Sequence, residues 1–260
     1  MKYPREEATD VSVVICGEAG QGIKTVEELL VKMMKRSSFH VFSSKEYMSR
    51  IRGGSNSTTI RIGSEEIRAF TRRMDIVVPI SRDALKHLSW RLDERTTILL
   101  DPELAKKPEG ENKGRIIESD LKKEADEVGG AIYLNIIASG LIACIMGVES
   151  DVAKEALEDR FSDASKDMLE KNMKALDRGY EMGRKMEEGN KIKASLKGDP
   201  KVKDRLLIKG VESVYLGAIS GGCDFISSYP MSPSTGVLVG LAERQKEYGI
   251  IAEQAEDEIS

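Results

Sequence analysis

Val11-Ser-Val-Val-Ile-Cys16 followed by Gly17-Glu-Ala-Gly-Gln-Gly22 is the stretch on which the fold turns. The first six residues form a β-branched run, which suits a pleated strand. Beyond the glycines, Val26, Leu29, Leu30, Met33 and Met34 recur at helical spacing. The order predicts strand, glycine loop, helix. Working outward, the strand signal repeats at residues 40–44, 58–62, 75–80 and 96–100, with a helical pattern over 83–92 between the last two. Strands alternating with helices predict an α/β sheet. Residues 135–146 are apolar nearly all round and read as a buried helix. Leu169, Met173, Leu176 and Tyr180 mark one face of a longer helix over about 162–187, a stripe that reads as core or interface packing.

Farther along, Gly189, Gly198 and Pro200 punctuate a run containing Lys191, Lys193, Lys197, Lys201 and Lys203 with few apolar residues to bury. That composition predicts a linker at 189–205, after a first domain at 1–188. A second α/β domain then opens over 206–260: helical spacing at 211–219, a stop at Gly221-Gly222, a strand at 225–229, a helix at 235–245 and a strand at 250–252. It runs out after about two strands, and the chain reads as truncated there.

Composition limits the partners. Of the 260 residues, 40 are basic and 44 acidic, a net charge of -4 with the signs interspersed, so no basic face predicts nucleic acid. Cys16, Cys144 and Cys223 lie far apart in apolar runs without a C-x-x-C pair. They read as buried free thiols, which predicts a reducing cytoplasm and no metal held by this chain. The N-terminus lacks the apolar core of a signal peptide, and no run reaches the roughly 18 apolar residues of a membrane span. No membrane partner is expected.

Three stretches carry possible chemistry. The loop 17–22 can turn backbone N–H groups at a helix N-terminus toward an anion such as phosphate. It is not a dinucleotide fingerprint, since Ala19 stands at the middle glycine position and no acid ends the strand at 40–44 to hold a ribose. By itself it reads equally as a ligand loop or as a tight turn that packs the helix on the sheet. In Tyr47-Met-Ser-Arg-Ile-Arg-Gly-Gly-Ser-Asn56, Arg50 and Arg52 can clamp a phosphate or carboxylate, and Gly53 and Gly54 open backbone geometry closed to other residues. A sharp turn with solvated arginines accounts for the same residues. The acids Glu253, Glu256, Asp257 and Glu258 read, from local sequence, as a capped helix start. His40 and His87 have no partnered acid at a telling spacing and read as structural.

Taken together, five motifs resemble the gamma part of the 2-oxoacid:ferredoxin oxidoreductases. They are G-E-A-G-Q-G at 17–22, Y-M-S-R-I-R-G-G-S-N at 47–56, R-I-G at 61–63, N-I-I-A-S-G at 135–140 and N-x-x-A-L-x-x-G-Y at 172–180. Gly221-Gly-Cys-Asp-Phe-Ile-Ser-Ser-Tyr-Pro-Met-Ser-Pro-Ser-Thr235 and Gln254-Ala-Glu-Asp-Glu258 resemble the start of the alpha part, whose pattern is Y-P-x-T-P-S-T followed by E-D-E. The resemblance covers about residues 10–260 and is to the group that fuses gamma and alpha parts in one chain. It departs at Val211, where the alpha part usually has asparagine after the glycine, and at Ser232, where threonine is usual.

The resemblance implies a Rossmann-like gamma domain, a linker and the start of a thiamine-diphosphate-enzyme pyrimidine domain. It implies cofactor binding by Gly17, Gly20, Gln21, Gly22, Arg52, Gly53 and Gly54, with coenzyme A as substrate. Ser232 would lie near the carboxylate of a 2-oxoacid. Glu258 would be the catalytic glutamate that hydrogen-bonds the aminopyrimidine ring of thiamine diphosphate. The implied activity is oxidative decarboxylation of a 2-oxoacid to acyl-coenzyme A with electrons passing to ferredoxin. Thiamine diphosphate with Mg²⁺, and the iron–sulfur clusters, would be held mainly by a beta subunit and a ferredoxin-like chain. This chain alone would be inactive. Two other readings stay open: a non-catalytic coenzyme A-binding or scaffold module, and a degenerate product without activity.

Overall fold

The structure, a computed structural model, describes residues 2–3, 9–18, 21–46, 55–81, 83–105, 113–189 and 191–260. They form two compact units that divide between Asp204 and Arg205. In chain order the first unit comprises β1 (Lys2–Tyr3), β2 (Asp10–Glu18), α1 (Ile23–Arg36), β3 (His40–Glu46), β4 (Ser55–Gly63), β5 (Ile76–Pro79), α2 (Ala84–Leu88), β6 (Thr97–Leu100), α3 (Pro102–Ala105), β7 (Arg115–Glu118), α4 (Leu121–Val128), α5 (Leu134–Ile145), α6 (Ser150–Arg160), α7 (Lys166–Glu188) and β8 (Lys193–Ala194).

β2 lies at the centre of this unit, its β-branched run buried on both faces, the condition of a central strand in a largely parallel sheet. Val11, Val13 and Ile15 face one core, with α1 and α5, while Val14 and Cys16 face a second core with Ala84 and Leu88 of α2. The sheet order is β3-β4-β2-β5-β6-β7. β2, β5, β6 and β7 are parallel neighbours, whereas β4 pairs antiparallel with both β2 and β3. The fold is α/β with a parallel-rich sheet, and the antiparallel pair at one edge is its addition to the sequence reading. α1 buries Val26, Leu29, Leu30, Met33 and Met34 completely. Each such side chain contributes on the order of 1.5–3 kcal/mol.

α5 and α7 pack through glycine. A Cβ on Gly140 would stand 2.4 Å from the Leu176 carbonyl oxygen, and one on Gly179 would stand 2.2 Å from that of Ile137. The backbones therefore touch, and the Tyr180 hydroxyl donates to the Val148 carbonyl at 3.0 Å beside them. α7 begins later than the apolar pattern predicts because Ser165 caps it, its side chain accepting from the Met168 N–H.

The expected linker is different from its sequence reading. Ile192, Ala194 and Val202 are buried, and β8 pairs with β1. The Asp199 N–H donates to the Ser38 carbonyl at 2.7 Å, its carboxylate meets His40 Nε2 at 2.9 Å, and the Lys197 N–H donates to Ser64 Oγ at 3.0 Å. Residues 191–204 thus belong to the first unit. Residues 205–209, by contrast, are all exposed and without regular structure.

The second unit contains α8 (Gly210–Ser220), β9 (Phe225–Ser228), α9 (Thr235–Ala242), α10 (Gln245–Tyr248) and β10 (Ile251–Gln254). β9 and β10 are parallel neighbours. α8 and α9 also meet at a glycine, since a Cβ on Gly240 would lie 2.2 Å from the Tyr215 ring. Contrary to expectation, no helix follows β10 within residues 255–260. No single helix among the described residues is long and apolar enough to cross a membrane.

Candidate functional site

The chain leaves β2 toward β3 and β4 on one side and returns to β5 on the other. In an open α/β sheet, ligands bind outside the carboxyl ends of the strands where connections part in this way. Gly17 and Glu18 end β2 at that point. The Gln21 N–H donates to the Glu18 carbonyl at 3.2 Å, and the Gln21 side-chain oxygen accepts the Glu18 N–H at 2.8 Å, closing a tight turn. Gly22 follows with φ 75 and caps α1. Asn135, at the start of α5, donates from Nδ2 to the Gln21 carbonyl at 2.7 Å.

These contacts explain the glycines. A Cβ on Gly17 would lie 2.5 Å from Gln21 Oε1, and one on Gly22 would lie 2.3 Å from Asn135 Nδ2. Gly17 and Gly22 therefore stand where a side chain would collide with its neighbours, and the end of α1 beside them is open to charge. α1 has no side-chain cap and no acid in its first turn, so its leading N–H groups and the positive end of its dipole carry no neutralising carboxylate of their own. Asn135 Oδ1 is buried without a hydrogen-bond partner among the described residues. Sequence reasoning quoted Asn135 within a motif and missed its place at the loop; its partner is 114 residues away.

Sheet register joins this loop to the second motif. Gly17 is paired with Asn56 and Glu18 with Ser55 across β2 and β4, while Ser57 is paired with Glu46 across β4 and β3. Arg52, Gly53 and Gly54 lie outside the described residues, as does Gly20. The strand ends that flank 47–54 are nonetheless at the same end of the sheet as the last residues of β2. Cys16, paired with Ser57, is no nucleophile: burial first, then the Glu46 carboxylate, push its thiol up to about 12. Beside the loop, Ile80, Leu104, Leu121 and Leu134 line a cavity of about 100 Å³ with Asp101 at its wall. The Asp101 carboxylate is already occupied by the N–H groups of Glu103 at 2.9 Å and Lys122 at 2.8 Å.

In the second unit the parallel pairing makes the segments after β9 and β10 leave from one end, and these segments carry Ser232 and Glu258. Both residues are exposed. Asp257, by contrast, folds back, its Oδ1 accepting from the Ile259 N–H at 3.0 Å, the Ser260 N–H at 2.7 Å and the Ser260 hydroxyl at 2.7 Å. Among the described residues no three His, Cys, Asp or Glu side chains are arranged to hold a metal ion.

A helix without a side-chain cap, starting where a parallel-rich sheet divides, defines the class: an α/β protein with an open end at its central strand. Residues 12–182 match the family model of pyruvate ferredoxin/flavodoxin oxidoreductase, and the chain belongs to that family. It is 25% identical over 184 residues to the 2-oxoglutarate synthase subunit KorC of Archaeoglobus fulgidus, covering 70% of this chain and 91% of KorC. It is 23% identical over 304 residues to the 2-oxoacid:ferredoxin oxidoreductase subunit alpha of a Sulfolobus species, covering 96% of this chain and 46% of that subunit. The chain thus spans about half the length of that alpha subunit. A similar fold occurs in the 2-oxoglutarate:ferredoxin oxidoreductase from Magnetococcus marinus, solved with 2-oxoglutarate, coenzyme A and succinyl-CoA bound. The TM-score is 0.87 at 24% identity, over 97% of this chain and 44% of that one.

Proposed function

We propose that this chain is the gamma part and the opening of the alpha part of a 2-oxoacid:ferredoxin oxidoreductase. It would work in the cytoplasm with a beta subunit and a ferredoxin-like electron carrier. The first unit takes the phosphate end of coenzyme A, and the second presents Ser232 toward the 2-oxoacid and Glu258 toward thiamine diphosphate. The observation that carries this reading is the pairing of Gly17 and Glu18 with Asn56 and Ser55, which places the flanks of the Arg52-Gly53-Gly54 motif beside the uncapped end of α1. Backbone donors at a helix N-terminus suit a phosphate, and an arginine guanidinium beside them would complete its complement. The Magnetococcus protein's bound coenzyme A supports the choice of ligand.

Glu258 fits its role in one respect: it is exposed behind a parallel strand, where its carboxylate is open to a ring presented by a partner chain. Thiamine diphosphate, when bound, supplies the decarboxylation chemistry. This chain's contribution is a carboxylate that shares a proton with the aminopyrimidine. The Mg²⁺ and iron–sulfur sites fall to other chains in this reading, because Cys16 is buried and Cys144 and Cys223 lie partly buried at separate places.

Calorimetry of coenzyme A with the full chain tests the reading. Binding is expected, with an Arg52→Glu variant weaker by at least about tenfold, the effect of a lost charge-assisted contact. No heat of binding, alone or with a beta subunit, would reduce the loops to packing elements.

A further inference from the structure

Arg91, in the 3-10 turn Ser89–Arg91 after α2, has a side chain with no exposed surface. Its Nε donates to the Arg72 carbonyl at 3.2 Å, and its Nη2 donates to Thr59 Oγ1 and the Thr71 carbonyl, both at 3.4 Å. The Phe70 and Trp90 rings lie 5.2 and 5.9 Å from the guanidinium carbon. Nη1 is the nitrogen left over: among the described residues it makes no hydrogen bond, and it stands 3.6 Å from Glu46 Oε1. The other Glu46 oxygen accepts the Ser57 hydroxyl at 3.1 Å. Burying a guanidinium is costly, and an apolar side chain of similar volume is often the more stabilising choice. Burial pulls the Arg91 pKa below the usual arginine value, and Glu46 is the strongest opposing influence.

The position of this chain of contacts suggests what the cost secures. Glu46 is the last residue of β3, and Ser57 is the third residue of β4, opposite Cys16 and one step from the pairing of Gly17 with Asn56. We propose that Arg91 is a positioning residue for the anion site: through Glu46 and Ser57 it holds the ends of β3 and β4 in register against the glycine loop. The inference rests on the coenzyme-binding reading above, since it says how that site keeps its shape.

The test is a double-mutant cycle on the full chain, by calorimetry, with coenzyme A and inorganic pyrophosphate as probes. Arg91→Met and Glu46→Gln are each expected to weaken coenzyme A binding about tenfold, the scale of one displaced hydrogen bond to a charged group. The double variant should bind no more weakly than the weaker single one, because both changes cut the same link. Losses that multiply would overturn the proposal. So would unchanged affinity with a lowered melting temperature, which would make Arg91 a purely structural residue. If Arg91→Met does not fold, the half-exposed Glu46→Gln decides alone, and wild-type affinity in it sinks the idea. A wild-type chain that binds neither probe overturns the functional reading instead. One that binds pyrophosphate but not coenzyme A removes only the coenzyme, and the cycle is then read on pyrophosphate.

Discussion

Asp257 and Glu258 are consecutive acids with different surroundings. Asp257 accepts two backbone N–H groups and a hydroxyl, the pattern with which an aspartate caps a helical turn, and bonds from Ser260 hold its carboxyl below the usual range. Glu258 lies within that turn, but its side chain stays exposed. In an assembly with the beta subunit, Glu258→Gln is therefore expected to slow exchange of the thiazolium C2 proton by about 10² to 10⁴, the range of general acid–base assistance. Asp257→Asn keeps an oxygen acceptor and should leave exchange near wild type. Equal rates in both variants, followed by NMR, would remove Glu258 from the chemistry. Spacing could not separate the two acids, because adjacent residues share every local signal. The glycine loop shows the same limit: Gly17 and Gly22 were legible as a turn, but the side chain that excludes a Cβ at Gly22 comes from Asn135, far along the chain.

At the level of elements, the sequence was legible where apolar residues are large and periodic. β2, α1, α5 and most of α7 follow from that pattern. β7 was not, because in Arg115–Glu118 only Ile117 is buried. α6 was not either, since it buries Ala153, Ala156 and Leu157, a small-residue face with a faint signal. The seam between α5 and α7 makes a sharper demand than hydrophobicity. Alanine in place of a helical glycine normally gains up to about 1 kcal/mol. At Gly179 a Cβ would meet only backbone: Ile137 O at 2.2 Å, Leu141 N at 2.7 Å and the Gly140 Cα at 2.9 Å. Overpacking of that kind costs roughly 1–3 kcal/mol or more, so Gly179→Ala should lower stability in urea unfolding by about 3 kcal/mol. Gly147→Ala is the control: φ is 75 with open space around it, and the cost should stay near the ~1–2 kcal/mol of a left-handed L-residue. A Gly179→Ala variant no less stable than the Gly147 control would mean that the helices can slide apart at little cost.

For the whole molecule, the boundary between units decides where a protease enters. Lysine content made 189–205 look like a tether, yet Ile192, Ala194, Val202 and the backbone bonds of Lys197 and Asp199 bind 191–204 to the first unit. Those partners, Ser38, His40 and Ser64, lie far back in sequence, where composition cannot reveal them. Limited trypsin digestion is therefore expected to cut first after Arg205 or Lys209, in the exposed 205–209 stretch. A first cut after Lys193 or Lys197 would show instead that 191–204 opens readily. The glycine seam has a further consequence for inheritance. Every codon change that replaces glycine adds a β-carbon, so at Gly140 and Gly179 no single step leads to a neighbour that fits. Lineages of this protein would then diverge around that contact, with drift gathering on the outer faces of α5 and α7 while the crossing point stays as it was.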